Sequence, residues 1–246
     1  GVDKPLELHA PQWVDSAPPD AEQFYPSVAL NRRAVTIAWE DRRHGHTMLL
    51  VAHAADGTKF AAPQALNEQP AQRSGVYGKG TGAARPTLTA WGRRGLAAVW
   101  LDKRDFTSGY DVYAGLSDDG GRRFGPNQKV QDDFGNAVSQ WHAAVTGDGN
   151  ANLVVAWNDN RDDSADIWLA WRTAQGWSGD HAVPGAAGPG EQSSVSVTLD
   201  RRGGLHLTWL DQPDPQAPTA LKYLYAPRTP TAIEKPFPSS KISPSL

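Results

Sequence analysis

Four aspartates occupy matching places along the chain, and three of them are followed two residues later by an arginine. The set consists of Asp41, Asp102, Asp159 and Asp211, with Arg43, Arg104 and Arg161. Carboxylates beside guanidinium groups form charged pairs within a scaffold, or leave the arginines to bind an anionic or sugar ligand through paired hydrogen bonds. Carboxylates that lie close together could instead hold a hard cation such as Ca²⁺.

The aspartates belong to a motif that recurs along the sequence. Its copies are Trp39-Glu40-Asp41-Arg42-Arg43, Trp100-Leu101-Asp102-Lys103-Arg104, Trp157-Asn158-Asp159-Asn160-Arg161 and the altered Trp209-Leu210-Asp211-Gln212-Pro213. Recurrence every 50–60 residues, roughly, is typical of stacked or radial repeats. Each repeat contains a pattern of short strands, and the motif ends the second strand. The sequence therefore predicts an all-β fold, a four-bladed β-propeller.

The predicted blades span about residues 26–66, 86–130, 142–183 and 194–225. The last blade has three predicted strands, and Leu6 to His9 resembles the end of a fourth. An N-terminal strand over residues 6–9 that completes this blade would close the ring and remove exposed sheet edges. The other interpretation is an extension that lies on the surface. We predict one domain over residues 1–227 and an extended tail, rich in proline and serine, over residues 228–246.

Composition narrows the classes of partner. The net charge is −3 and no block of like charge occurs, so nucleic acid and anionic membrane surfaces are not expected. There is no cysteine, which excludes disulfides and thiolate metal sites. No apolar run approaches the roughly 20 residues of a membrane span. Because the first residue is Gly1, we expect a preceding segment to have been removed or to lie outside this chain.

One turn carries a recognisable pattern. Ser117-Asp118-Asp119-Gly120-Gly121-Arg122-Arg123-Phe124 fits Ser-x-Asp-x-Gly-x-x-aromatic, and degenerate copies begin near Ala55 and Thr173. We expect the aspartate to accept backbone N–H bonds, the glycine to take positive φ and the aromatic ring to fill the space between sheets. The chain thus resembles the sialidase-like Asp-box (BNR) repeat propellers over about residues 26–226.

The resemblance implies a propeller, and its sialidase members have six blades where we predict four. It also implies an arginine clamp on a carboxylate, an aspartate acid and a Tyr–Glu nucleophile. The first of the family's arginines lies in an Arg-Ile-Pro motif, and the nearest match here is Arg85-Pro86. Propellers of this resemblance are commonly secreted or periplasmic, so we expect one of these locations.

Loops between second and third strands share one face with the loops that join successive blades, and loops on a rigid scaffold commonly carry sites. We therefore place the candidate site on this loop face. The candidate ligand-binding residues are Arg43, Arg104, Arg161, Asp41, Asp102, Asp159, Tyr77, Tyr110 and Trp141. The acidic pair needed for glycoside hydrolysis could come from Glu68 and Glu191 or from the aspartates. No catalytic residue and no metal ligand is assigned.

Three functions remain open. The leading hypothesis is a non-catalytic recognition module that binds a glycan or a protein partner on the loop face, without a cofactor, although Ca²⁺ is compatible with the aspartates. The alternative is a sialidase-like glycoside hydrolase with an arginine clamp. The third is a structural subunit of a larger extracytoplasmic assembly, whose C-terminal tail lies on a protein partner.

Overall fold

A computed structural model describes most of the chain. The described residues are 8–15, 20, 22–44, 47–68, 82–104, 109–132, 140–161, 164–173 and 175–227. Their regular elements are fifteen β-strands in four antiparallel sheets, and these residues contain no helix. The all-β prediction is therefore confirmed.

Each sheet consists of strands that follow one another in sequence. Sheet 1 contains β1 (Gln23–Asn31), β2 (Ala34–Asp41), β3 (Met48–Ala54) and β4 (Gln64–Ala65). Sheet 2 contains β5 (Ala83–Trp91), β6 (Gly95–Asp102), β7 (Asp111–Ser117) and β8 (Gln128–Lys129). Sheet 3 contains β9 (Gln140–Gly147), β10 (Leu153–Asp159), β11 (Asp166–Trp171) and β12 (His181–Ala182). Sheet 4 contains β13 (Glu191–Leu199), β14 (Leu205–Gln212) and β15 (Ala220–Ala226).

The first strands of the sheets lie innermost, and each packs on the next: β1 on β5, β5 on β9 and β9 on β13. Between neighbouring sheets are three seams, each filled by an apolar cluster. The second strands of sheets 2 and 3 supply much of this core because they are apolar on both faces. Trp100 and Trp157 are each 0% exposed. The repeat motif thus ends a strand that is buried on both faces in sheets 2 and 3, whereas buried and half-buried residues alternate along β14 of sheet 4.

The fourth strands are shorter than the sequence predicts. The pattern indicates strands over 60–66 and 124–130, whereas the ladders contain only Gln64–Ala65 and Gln128–Lys129. Pro63 and Pro126 lie just before these pairs, and proline has no N–H to donate to a ladder.

The Asp-box turn has the predicted structural role. Asp119 accepts hydrogen bonds from the backbone N–H groups of Arg122 and Arg123, each at 3.0 Å. Gly121, the glycine of the pattern, has φ 93°, a conformation that glycine adopts without steric cost. The ring of Phe124 packs against the cluster in the seam between sheets 1 and 2.

The predicted closure is not observed in the described part of the chain. Sheet 4 has three strands there, Leu8 and His9 belong to no strand, and Leu8 is 83% exposed. Leu6 and Glu7, like the predicted tail over residues 228–246, lie outside the described residues.

Candidate functional site

The aspartate of each complete motif binds its own arginine. In sheet 3, Asp159 accepts bonds from Arg161 Nε at 3.0 Å and Nη2 at 2.6 Å. The same carboxylate accepts the Arg161 backbone N–H at 2.9 Å and the indole N–H of Trp157 at 2.8 Å. Sheets 1 and 2 repeat this arrangement with Trp39, Asp41 and Arg43, and with Trp100, Asp102 and Arg104. We call this Trp–Asp–Arg arrangement the clasp.

Each clasp arginine has a second acceptor on the outer side of the sheets. Arg43 donates to Asp15 at 2.7 Å, Arg104 to Asn127 at 3.0 Å, and Arg161 to Asp180 at 2.6 Å. The guanidinium of Arg104 also lies 3.8 Å from the ring centre of Tyr113. These arginines are therefore bound within the scaffold, in agreement with the interpretation of the motif as a set of charged pairs. Ligand binding by the clasp residues stays a prediction.

The clasp of sheet 1 is strongly charged. Although burial of Asp41 opposes its ionisation, the hydrogen bonds from Arg43, Gln23 and Trp39 outweigh that cost and hold the pKa of the carboxyl well below its usual range. Asp41 is therefore ionised at neutral and mildly acidic pH. In sheet 4, where Pro213 replaces the arginine, Asp211 pairs with Lys222 at 2.8 Å.

The clasps also position the innermost strands. Gln23, Gln140 and Gln192, near the starts of β1, β9 and β13, donate side-chain bonds to the motif aspartates Asp41, Asp159 and Asp211. The motif aspartate thereby fixes the end of the innermost strand that lies on the loop face in sheets 1, 3 and 4.

Next to this fixed end, every innermost strand contains a bulge. The pairing registers shift at these places, and at each shift one residue other than glycine has positive φ. These residues are Tyr25 (48°), Arg85 (54°), His142 (49°) and Ser194 (57°). A left-handed conformation costs a residue with a side chain about 1–2 kcal/mol, and such strain concentrates at functional sites.

The bulges line a cleft of about 500 Å³ at the innermost strands. Its lining includes Arg85, Trp141, His142, Asn158, Glu191 and Ser194. An adjoining depression is lined by Tyr25 and shares Arg85 and His142. We call the two together the axial cleft. Four residues of different chemical type thus converge at one position of the repeat.

Arg85 occupies a central place in the axial cleft. Its guanidinium lies 5.2 Å from the ring centre of Tyr25, and it forms no ion pair with the described residues, unlike the three clasp arginines. Its backbone N–H donates to Glu40 Oε1 at 2.7 Å. Burial raises the pKa of Glu40, and the hydrogen bond from Arg85 partly offsets that effect. Burial, assisted by the charge of Arg85, lowers the pKa of His142, which favours the neutral imidazole.

Asn158 leaves a hydrogen-bond acceptor unused. The residue is 4% exposed, and its Oδ1 accepts no bond from the described residues. It follows the motif tryptophan, where the other sheets have Glu40, Leu101 and Leu210. An unpaired buried carbonyl costs about 1–3 kcal/mol, so this acceptor is suited to a ligand hydroxyl or water.

Two of the predicted aromatic residues lie together beside this site. Tyr110 and Trp141 pack with ring centres 5.0 Å apart, and Trp141 lines the cleft with 39% exposure. Glu191 also lines it, whereas Glu68 accepts the backbone N–H of Asn127 on the outer side. Tyr77 lies outside the described residues.

Two kinds of feature are absent from the residues described, namely a cluster of metal-ligating side chains and a membrane-spanning helix. Within those ranges there is no group of three or more histidine, aspartate or glutamate side chains able to hold a metal ion. No helix there is long and apolar enough to cross a membrane.

Sequence reasoning did not assign Tyr25, Glu40, His142 or Ser194 to a site, and it noted Arg85 only as the nearest match to the first clamp arginine of the sialidase-like family. The available signal was the variation among repeats: bulge and post-tryptophan positions differ between blades while the clasp stays constant. The left-handed backbone itself gives no signal in residues of these types.

No protein-family model matches the chain, and no curated protein matches it. Solved structures do. The Hadza microbial sialidase Hz136 has TM-score 0.55 at 13% identity, over 82% of this chain and 44% of that one. A polysaccharide lyase of family PL25, an ulvan lyase, has TM-score 0.56 at 12% identity, over 81% and 55%. An alpha-L-arabinanase of Penicillium chrysogenum, complexed with arabinobiose, has TM-score 0.50 at 14% identity, over 83% and 65%.

These neighbours are β-propeller proteins active on glycans. At such low identity the likeness shows the fold alone, and the chain spans less than two thirds of the length of each of the three. The four sheets of this chain thus have the all-β architecture of propeller enzymes, without a family assignment.

Proposed function

We propose that this chain is a recognition module that binds a glycan carrying a carboxylate in the axial cleft. The observation that carries the proposal is Arg85, whose guanidinium has no ion pair among the described residues although it lies in a cleft with a buried carboxyl group nearby. A sugar carboxylate would give this group a bidentate, charge-assisted partner.

The surroundings of Arg85 fit a sugar as the remainder of the ligand. Tyr25 and Trp141 offer aromatic faces, the Asn158 carbonyl offers an unused acceptor, and Ser194 offers a hydroxyl group. Sugars combine apolar C–H faces with hydroxyl groups, and clefts with a few well-placed polar groups among aromatic rings suit them. The glycan-active neighbours support a glycan over a protein as the ligand.

Hydrolysis is the second candidate, and one observation favours it. Glu40 is buried with a raised pKa, which is a property of general acids in glycosidases. Against a sialidase-like clamp stands the geometry of Arg43, Arg104 and Arg161, because their guanidinium groups are bound to carboxylates. A clamp would rest on Arg85 alone, so recognition without turnover is the better-supported function.

We also propose that residues 1–227 form one domain, a four-bladed propeller closed between sheets 4 and 1. Closure would cover the outward faces of both sheets and remove the free edge of sheet 4. A secreted or periplasmic location and a tail that lies on a protein partner complete the proposal, in keeping with glycan-active neighbours.

Calorimetric titration with an oligosaccharide containing a uronic acid, and with its neutral counterpart, tests glycan binding. We expect binding of the acidic oligosaccharide only, and a loss of at least about tenfold in affinity in Arg85→Ala, since charged hydrogen bonds contribute about 1.5–3 kcal/mol. Arg93→Ala, an exposed arginine of the same sheet, is the matched control.

Equal affinity for the two oligosaccharides, or an equal loss in both variants, would refute a carboxylate site at Arg85. Incubation of the unmodified protein with fluorogenic sialosides and arabinosides tests the second candidate. Turnover that Glu40→Gln abolishes would replace recognition by hydrolysis.

A further inference from the structure

The face of sheet 1 that points away from sheet 2, here called its outward face, is apolar like the faces buried in the three seams, but no neighbouring sheet in the described part of the chain covers it. Val28 and Leu30 are 61% and 62% exposed. Val28 occupies the same position in the repeat as Leu88 of sheet 2 and Val145 of sheet 3. Each of the three pairs with the residue two places before the motif tryptophan. Leu88 is 7% exposed and Val145 is 9% exposed, because each packs against the preceding sheet.

One segment already lies on this face. Val14 packs on a cluster formed by Trp39, Met48, Leu50 and Ala52. Asp15 pairs with Arg43 at 2.7 Å, and its side chain is 8% exposed. In the other three seams, the residue that corresponds to Val14 comes from the end of the fourth strand of the preceding sheet. These residues are Leu66, Val130 and Val183.

The sequence of the segment matches such a strand. Ala10-Pro11-Gln12-Trp13-Val14-Asp15 aligns with Ala62-Pro63-Gln64-Ala65-Leu66-Asn67, with alanine, proline and glutamine identical. In this alignment Val14 corresponds to Leu66, which agrees with the packing of both. The segment therefore resembles a fourth strand in sequence, and Val14 packs as the end of such a strand would. In the structure residues 10–13 join no ladder and Trp13 is 77% exposed.

Sheet 4 is the sheet that lacks a fourth strand in the described part of the chain. The strand with the free edge is β15, whose Leu221, Tyr223 and Tyr225 are 75%, 60% and 47% exposed. These residues pair with Leu210, Thr208 and His206 of β14. An uncovered edge and face of this kind favour association with a further strand.

We propose that Ala10–Val14 is the fourth strand of sheet 4 and pairs with β15 of the same chain, which brings the outward faces of sheets 4 and 1 together. The register follows from sheet 1, where Gln64 and Ala65 pair with Val51 and Leu50, and Leu50 in turn pairs with Trp39. The residue paired with Trp209 is Lys222. Trp13 therefore lies opposite Lys222, and Gln12 lies opposite Tyr223.

Disulfide trapping in the full chain tests this register, because the chain contains no cysteine. The test variant is Trp13→Cys with Lys222→Cys, since residues directly opposite in antiparallel strands are close enough for a disulfide. The positive control is Tyr113→Cys with Lys129→Cys, the corresponding pair of sheet 2, which is paired in the structure. The negative control is Trp13→Cys with Ala226→Cys, four residues along β15.

Mild oxidation should link most of the test variant within one chain, at an extent comparable to the positive control and at least about fivefold above the negative control, measured by non-reducing electrophoresis and peptide mass mapping. A disulfide between two chains would mean that a second copy supplies the strand, and it would overturn pairing within the chain. Absence of linkage while the positive control is linked would overturn the proposed pairing altogether.

Discussion

The clasps and the axial cleft are built from the same repeats, but they differ in how far their residue types vary from one sheet to the next. At the clasp, three sheets place tryptophan, aspartate and arginine in the same hydrogen-bonded arrangement. At the bulge, the four sheets place tyrosine, arginine, histidine and serine, all in the same left-handed conformation. Side chains that repeat with the fold hold the fold, whereas side chains that vary on a constant backbone are free to bind an asymmetric ligand.

The strongest test of this difference removes a clasp carboxylate. Asp159→Ala should lower the free energy of unfolding by about 3–5 kcal/mol, because it leaves Arg161, the Trp157 indole and a backbone N–H without their acceptor in a buried site. Urea unfolding measures the change. The control is Asp56→Ala, an exposed turn aspartate that also accepts an N–H two residues on. Similar losses in the two variants would contradict a structural role for the clasp.

A second test uses the second acceptor of the clasp arginine, which is Asn127 for Arg104 and Asp180 for Arg161. Glu68 and Asn127 exchange backbone N–H bonds across the seam between sheets 1 and 2, and Asp132 and Asp180 do so between sheets 2 and 3. Burial, together with the hydrogen bond to Asp132, raises the pKa of Asp180 to about 7, although Arg161 opposes this. The folded protein therefore holds a proton that the unfolded chain releases near pH 4, and the contribution of Asp180 to stability falls as pH rises from about 4 to 7.

Asp180→Asn should remove this dependence and stabilise the protein above pH 7 by on the order of 2 kcal/mol. Asn127→Asp should introduce a similar loss at high pH into the first seam, next to Glu68. Urea midpoints at pH 5 and pH 8 measure both effects. A parallel pH dependence in Asp180→Asn and the unmodified protein would show that Asp180 is not the group that titrates.

The smallest expected effect concerns strain in the axial cleft. Ser194→Gly should raise stability by about 1 kcal/mol, or the melting temperature by about 2–4 °C, because glycine adopts the left-handed conformation without steric cost. Ser196→Gly, two residues on in the regular part of β13, should instead lower stability by about 0.5–1 kcal/mol. Calorimetry on both variants measures the difference, and a loss in Ser194→Gly would mean that the bulge is not strained.

The sequence predicted the sheets far better than the site. The spacing of the Trp-x-Asp-x-Arg copies and the apolar second strands indicated four repeats, because these patterns follow directly from burial. The lengths of the fourth strands were overestimated, because Pro63 and Pro126 keep the observed strands short. The axial cleft could not be derived in this way, because the conformation of Arg85 or His142 is imposed by bulge geometry and by neighbouring sheets rather than by local propensity. Comparing the repeats position by position would have identified the bulge as the most variable polar place.

The clasp has a consequence for how such a chain can change over generations. Its tryptophan, aspartate and arginine come from one stretch of five residues, so sheets 1, 2 and 3 each carry the central bonds of their own fastening within the motif. A duplicated or deleted blade would keep its fastening intact, as expected of repeat units whose stability depends on themselves and their immediate neighbours. The number of sheets can therefore change by copying a segment of DNA, while the side chains at the bulge change separately through single substitutions.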